Sequence, residues 1–270
     1  MLHHTKRSRR KGFSLIELLT VIAIIAILLG LGVASYGRVR TGANNAKTSA
    51  EISQLANAVG SFKAHFNNIP YLPGGITLRP SYSATDPDGA YLKRLFPQMN
   101  LSATGLPTMA LNQNQAFVFF LSGGTVTNYT GFSTNRQTPF ATGGTERIGP
   151  FFDFPGNRFN ANNEFLDPYQ TPYAYFSSTF GNDYPAASYS YSFPAGDPLA
   201  GQTTSVSPYN SGGRNVNQRG CQVISAGKDR FFGPGGNWTP GTGAWGMTKS
   251  PPCPGADDFA NFGSGALVNP

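Results

Sequence analysis

One stretch limits what this chain can become. Gly12-Phe13-Ser14-Leu15-Ile16-Glu17 opens a run that stays apolar to Ala34, and no residue from Leu18 to Ser35 carries a charge. Eighteen residues, at about 1.5 Å of rise each, are close to the minimum that crosses a bilayer core as a helix. Five basic residues precede the run: Lys6, Arg7, Arg9, Arg10 and Lys11. That excess of positive charge predicts a leader held on the cytoplasmic side and an exported C-terminal bulk. An ordinary secretory signal peptide is the competing reading. The run is long for one, and it passes into helical sequence with no prominent small-residue cleavage site.

Glu17 is the odd residue in this stretch. An ionised acid deep in a bilayer costs several kcal/mol and needs a partner. A cut after Gly12 would create one, because the new α-amine of Phe13 is positive and lies about one helical turn away. The same two groups can pair between subunits and set the register of one helix against the next. The bland alternative places Glu17 at the membrane surface with no role.

A basic leader followed by Gly-Phe-Ser-Leu-Ile-Glu resembles the class III signal of type IV pilins and type II secretion pseudopilins. The resemblance implies that a prepilin peptidase cuts between Gly12 and Phe13 and methylates the Phe13 amine. It implies that Glu17 pairs with that amine on a neighbouring subunit. It also implies self-assembly with other pilin-like subunits on an inner-membrane assembly platform. The precursor would be a single-pass inner-membrane protein with a periplasmic head, and the filament periplasmic or extracellular. One position departs: many members carry proline where this chain has Ala34. Gly30, Gly32 and Gly37 would loosen the helix instead, at up to about 1 kcal/mol each relative to alanine.

Helical periodicity continues beyond the run. Ile52, Leu55, Val59, Phe62 and Phe66 recur at steps of three and four and mark one apolar face. Asn67-Asn68-Ile69-Pro70 ends the pattern, since proline cannot continue a helix cheaply. The expected organisation is a leader over 1–12, a helix over 13–68 and a head over 69–270. Within the helix, 13–35 spans the membrane and 46–66 is amphipathic. The whole helix would be on the order of 80 Å long.

Charge matters only through its location. The net charge of +7 invites a nucleic-acid reading. Five of the 20 basic residues lie in the leader, which leaves fifteen against 13 acids. No basic patch with interleaved aromatics stands out, so no nucleic-acid partner is expected. With 12% charged residues, 33 glycines and 21 phenylalanines, the remainder reads as an exported, loop-rich head containing β-structure.

Strands are expected at Pro172–Ser177, Ala187–Ser192 and Cys221–Ser225, the first two alternating aromatic with small residues. They would form an antiparallel sheet against the exported half of the helix, making the fold α+β and pilin-like. Asp86-Pro87-Asp88-Gly89 reads as a turn and Tyr91–Met99 as a short helix. Gln113–Leu121 is a short buried element, with helix slightly favoured. Residues 71–83 and 125–165 read as loops. The two cysteines, Cys221 and Cys253, most simply pair as a disulfide in an oxidising compartment.

Three further segments resemble those of major pseudopilins. Asp167-Pro168-Tyr169-Gln170-Thr171-Pro172-Tyr173 is similar to their Asp-Pro-Trp-Gly-Asn-Pro-Tyr turn. Ser225-Ala226-Gly227-Lys228-Asp229 is similar to their Ser-x-Gly-x-Asp element. Asp257-Asp258-Phe259-Ala260-Asn261-Phe262 is similar to their Asp-Asp-Ile-x-Asn-Trp ending. In that family the last two enclose a calcium ion, which implies a structural site at Asp229, Asp257 and Asp258. Calcium accepts six to eight oxygens from carboxylates and carbonyls, and a glycine-rich loop offers both. The alternative is solvated aspartates, or Asp257 capping a short turn. More than twenty residues separate Asp229 from Asp257, unlike the compact family pattern.

Catalytic constellations are not evident. Two of the three histidines, His3 and His4, lie in the leader, and His65 lies on the helix. No exported Ser-His-Asp set can be built elsewhere, and a zinc site lacks ligands. The first expectation is a structural filament subunit, not an enzyme. The alternative is an anchored exported enzyme or binding module that uses the same signal without polymerising.

Overall fold

The computed structural model describes residues 12–66, 72–83, 85–124, 130–144, 146–177, 184, 188–218, 220–238, 255 and 257–267, with the side chains of 31–35 outside the description. The chain divides into two compact units, 1–43 and 44–270.

Helix α1, Leu15–His65, contributes to both. In the first unit its described large apolar side chains are exposed, among them Leu15 at 81%, Ile22 at 56% and Leu28 at 63%. Among the described residues nothing covers them. Among the described residues no helix is long and apolar enough to cross a membrane. The expected span over 13–35 includes 31–35, whose side chains are outside the description.

In the second unit, α1 buries Ile52, Leu55, Ala58, Val59 and Phe62, while Ser53, Gln54, Asn57 and Gly60 stay exposed. This is the apolar face expected from the three-and-four spacing. It packs against α3, Gln113–Ser122, and a layer of phenylalanines. The Phe62 ring lies 5.9 Å from Phe120 and 5.2 Å from Phe151. Helix α3 is held at its start by a reciprocal capping box: Asn112 accepts from the Gln115 N–H, and Gln115 accepts from the Asn112 N–H. Helix α2, Pro87–Leu95, begins earlier than expected. Asp86 accepts from the Asp88 N–H and Pro87 occupies the first turn, so the apparent turn is the helix cap.

Twelve short strands are described. They are β1 Ile76–Leu78, β2 Met109–Leu111, β3 Phe132–Ser133, β4 Arg147–Ile148, β5 Ala174–Ser177 and β6 Tyr189–Ser192. Then follow β7 Thr203–Val206, β8 Tyr209–Ser211, β9 Arg214–Asn215, β10 Cys221–Ser225, β11 Gly236–Asn237 and β12 Phe259–Ala260. The central sheet is antiparallel with order β12-β10-β5, and Val223 faces Tyr175 in its register. Both of its faces are buried. Tyr173, Tyr175, Cys221 and Val223 join the core under α1, while Ala174, Phe176, Ile224 and Ala226 join a second core.

That second core corrects one expectation. Strand β6 does not extend the sheet facing α1. It pairs with β7 in a separate hairpin, and its Tyr189 and Tyr191 pack in the second core. Strand β8 is tied to the central sheet by a side chain: Gln222 accepts from the Tyr209 N–H at 2.7 Å and donates to the Tyr209 carbonyl at 2.7 Å. Strands β1, β3 and β4 lie where loops were expected, and β2 lies in a stretch for which no element was expected. Each has only two or three residues, too few to show an alternation.

One buried ion pair joins α1 to this core. Arg158 donates to both carboxylate oxygens of Glu51, at 3.0 and 2.8 Å. The Tyr173 hydroxyl donates to Glu51 Oε2 at 2.5 Å, and Arg158 Nε donates to the Leu166 carbonyl at 3.0 Å. The Arg158 guanidinium also lies 5.0 Å from the Phe165 ring centre.

Truncating Phe62 should leave a cavity between α1 and α3. Phe62→Ala is expected to cost about 3–5 kcal/mol in denaturant unfolding, while exposed Ser53→Ala changes stability by less than about 0.5 kcal/mol. Equal effects of the two would show that this face of α1 is not core.

Candidate functional site

Two clusters carry the residues singled out by sequence. The first is the start of α1. Gly12 and Phe13 precede the helix, and Phe13 is 75% exposed. Ser14 caps it: its Oγ accepts from the Ile16 N–H at 3.3 Å, and Glu17 Oε2 accepts from the Ser14 N–H at 2.8 Å. Ser14-Leu15-Ile16-Glu17 therefore has capping-box spacing, a signal present in the sequence but missed above. In one copy of the chain the Glu17 carboxylate is aimed back at the residue following Phe13. The leader, 1–11, lies outside the described residues.

The second cluster is the loop after β10 together with the approach to β12. The Asp229 N–H donates to Asp257 Oδ2 at 2.9 Å, although the two residues are 28 apart in sequence. Asp229 Oδ1 accepts from the Phe231 N–H at 2.8 Å. Asp258 is fully buried, and its Oδ2 accepts from the Tyr209 hydroxyl at 3.0 Å and the Gly233 N–H at 2.9 Å. Its Oδ1 is buried with no hydrogen-bond partner among the described residues. Two glycines permit the close approach. A Cβ on Gly227, at φ +66, would stand 2.1 Å from the Asp257 carbonyl oxygen, and one on Gly255, at φ +84, would stand 2.3 Å from Gly233 Cα.

Burial shapes the charge of this cluster. It pushes the Asp229 carboxyl up to about 7, with the neighbouring Asp257 adding to the effect. Burial also holds Asp258 well above the usual carboxylate range, again with Asp257 and Asp229 contributing. The three expected ligands are thus within one another's field. Among the described residues, however, no group of three or more His, Cys, Asp or Glu side chains is arranged to hold a metal ion. An orphaned buried carboxylate oxygen and a pair of acids bound to each other fit a hard cation in chemistry, provided that carbonyls complete the oxygen set.

The turn before β5 feeds the same region. Asp167 is wholly buried, and its Oδ1 accepts from the Tyr169 and Thr171 N–H groups at 2.9 Å each. Its Oδ2 accepts from the Ser225 hydroxyl at 2.5 Å. Gln170 holds a φ of +70, at the position where the similar pseudopilin turn has glycine. Sequence reading recognised this turn but gave Asp167 no role. Arg230 extends the region outward, donating to both carboxylate oxygens of Asp197 at 2.9 and 2.8 Å.

The expected disulfide is corrected on the side that the structure describes. Cys221 is a free, buried thiol, and burial pushes its pKa up to about 12. It opens β10 opposite Ser177, and its backbone carbonyl accepts from Asn261 Nδ2 at 3.0 Å. Cys253 lies outside the described residues.

Comparison with known proteins points the same way as the first cluster. Residues 7–33 match the family described as the prokaryotic N-terminal methylation motif. Over 96 residues the chain is 31% identical to the type II secretion system core protein G of Aeromonas hydrophila, covering 33% of this chain and 67% of that protein. No solved structure matches.

Asp167 gives a pH test. Burial raises its folded-state pKa to about 6, above the ordinary value near 3.9. Its stabilising contribution is complete below about pH 4 and is lost as pH rises through about 6. Asp167→Asn keeps an oxygen for the two N–H groups and lets its amide donate to Ser225. Unfolding midpoints measured in chelator between pH 4 and 7 should fall less steeply for this variant than for wild type; parallel curves would remove Asp167 as a titrating group.

Proposed function

Since the chain belongs to the family of type IV pilins and pseudopilins, a family of structural subunits and not of enzymes, we propose that it is a subunit of a type II secretion pseudopilus. Its role as an exported, membrane-anchored filament subunit follows from the family. The choice of pseudopilus over pilus rests on the similarity to core protein G and on the Asp167 turn and acidic-loop segments.

The observation that carries the reading is the start of α1. A capping carboxylate at Glu17 is followed by apolar side chains that the single copy leaves exposed. Such a surface calls for lipid or for other apolar helices. In the bilayer the segment 13–35 would be the anchor, with the leader cytoplasmic. A prepilin peptidase would cut after Gly12 and methylate the Phe13 amine. The carboxylate of Glu17 would then pair with that amine on a neighbouring copy, and apolar burial at about 25 cal/mol per Å² would hold the helices together. An inner-membrane platform and a separate ATPase would supply the site and the work of polymerisation.

Glu17→Ala should leave membrane insertion intact and abolish filament assembly, read by fractionation and by electron microscopy of sheared filaments. Mass analysis of the mature N-terminus should find methylated Phe13. Normal assembly by the variant, or a mature protein that retains residues 1–12, would defeat the reading. Processing without assembly in the wild-type chain would favour the anchored, non-polymerising module.

Calcium belongs to the same proposal. Asp229, Asp257 and Asp258, with loop carbonyls, would hold it, and its charge would replace the proton that burial favours on these acids. Bound there, it supplies structural cross-linking of the two loops and no reaction chemistry. The head should melt several degrees higher in millimolar calcium than in chelator, and Asp258→Asn should erase the difference. An unchanged midpoint in the wild-type chain would exclude the site.

A further inference from the structure

From Ile52 to Phe62 the stripe that α1 presents to the core is apolar. Before it come buried Thr48 and half-buried Asn45, whose Oδ1 accepts from the Tyr169 hydroxyl at 2.5 Å. Ile52, Leu55, Val59 and Phe62 are all buried, and the pattern repeats after seven residues, with Ile52 and Val59 equivalent, and likewise Leu55 and Phe62. Apolar packing is non-directional, so such a stripe tolerates a slide of one heptad better than a polar contact does. Seven residues correspond to about 10 Å along the helix.

Glu51 breaks from that apolar pattern. It is 8% exposed and lies beside Ile52 at the edge of the stripe. Its partners come from far away in sequence: Arg158 is 107 residues distant and Tyr173 is 122. Arg158 is 7% exposed and is fixed by the Leu166 carbonyl and the Phe165 ring. The guanidinium fork accepts a carboxylate in one planar orientation, unlike a lysine ammonium. A slide of one heptad would bring Ala58 to the place of Glu51 and leave Arg158 and Tyr173 without an acceptor.

We propose that Glu51, Arg158 and Tyr173 form a register pin, which selects one axial alignment of α1 against the core from those the apolar stripe would allow. These are positioning residues and not a source of net stability, because a buried ion pair replaced by apolar groups of similar size is often neutral or stabilising. If the filament reading holds, identical register in every copy is what lets the heads repeat. The pin itself is a property of the single chain and is tested without assembly.

The test uses the full chain in detergent, with nitroxides placed by cysteine substitution at exposed Gln54 and exposed Asp153 in a Cys221→Ser, Cys253→Ser background. Dipolar electron paramagnetic resonance should give one narrow distance for the otherwise unaltered chain. Glu51→Leu with Arg158→Met and Tyr173→Phe removes the pin while keeping apolar volume. It should remain helical and show a second population displaced by a heptad slide. Arg158→Lys keeps the charge, loses the fork and should broaden the distribution. A single, unchanged distance in the apolar triple variant would overturn the pin. Should that variant fail to fold, an unchanged narrow distance in Arg158→Lys overturns it instead.

Discussion

The arrangement of the second unit depends on a charge pair taken out of water. Glu51 and Arg158 are both buried, and each would be costly alone. Together they satisfy one another twice, and the remaining capacity is taken up by the Tyr173 hydroxyl and the Leu166 carbonyl. The pair ties helix α1 to the segment that leads into the Asp167 turn and β5. It therefore fixes where the central sheet meets the helix. The phenylalanines around Phe62 supply burial, but burial alone has no preferred direction.

The central sheet passes that constraint on. Its alternate residues serve two cores, so Tyr175 and Val223 answer to the helix while Phe176 and Ile224 join the second core with residues of β6, β7 and β8. Beyond β10 the chain turns through Gly227 into the acidic loop, and Asn261 stitches the last segment back onto Val223 at 3.1 Å. Asp167 sits between these regions, bound to Ser225 at the end of β10. The residues proposed to hold calcium are thus mounted on the same sheet as the helix contact, though no shared mechanism is needed to explain either.

Legibility followed length and periodicity. Helix α1 and strands β5 and β6 were readable because several residues repeat with one period, whereas α3 was only favoured as a helix and β10, buried along its whole length, shows no alternation. The strands of two or three residues had no period to read. Asp86-Pro87-Asp88-Gly89 misled because an N-cap and a turn use the same residue types for the same reason, an oxygen that accepts a nearby N–H and a fixed φ. The placement of β6 could not be read at all, since an alternating strand shows that it has a buried face but not which core receives it. Cysteine counting likewise assumed a partner for Cys221, whereas the structure buries it as a thiol at the start of β10.

By itself the sequence determined the motif at Gly12 to Glu17, the apolar run behind it and the helical stripe from Ile52 to Phe66. These are local patterns, and their physics is complete within a few turns of helix. Only the tertiary structure decided which acids are paired, which share a field and which carry an unanswered oxygen. Glu51, Asp167 and Asp258 look alike as letters. Their differences come from burial and from partners dozens of residues away.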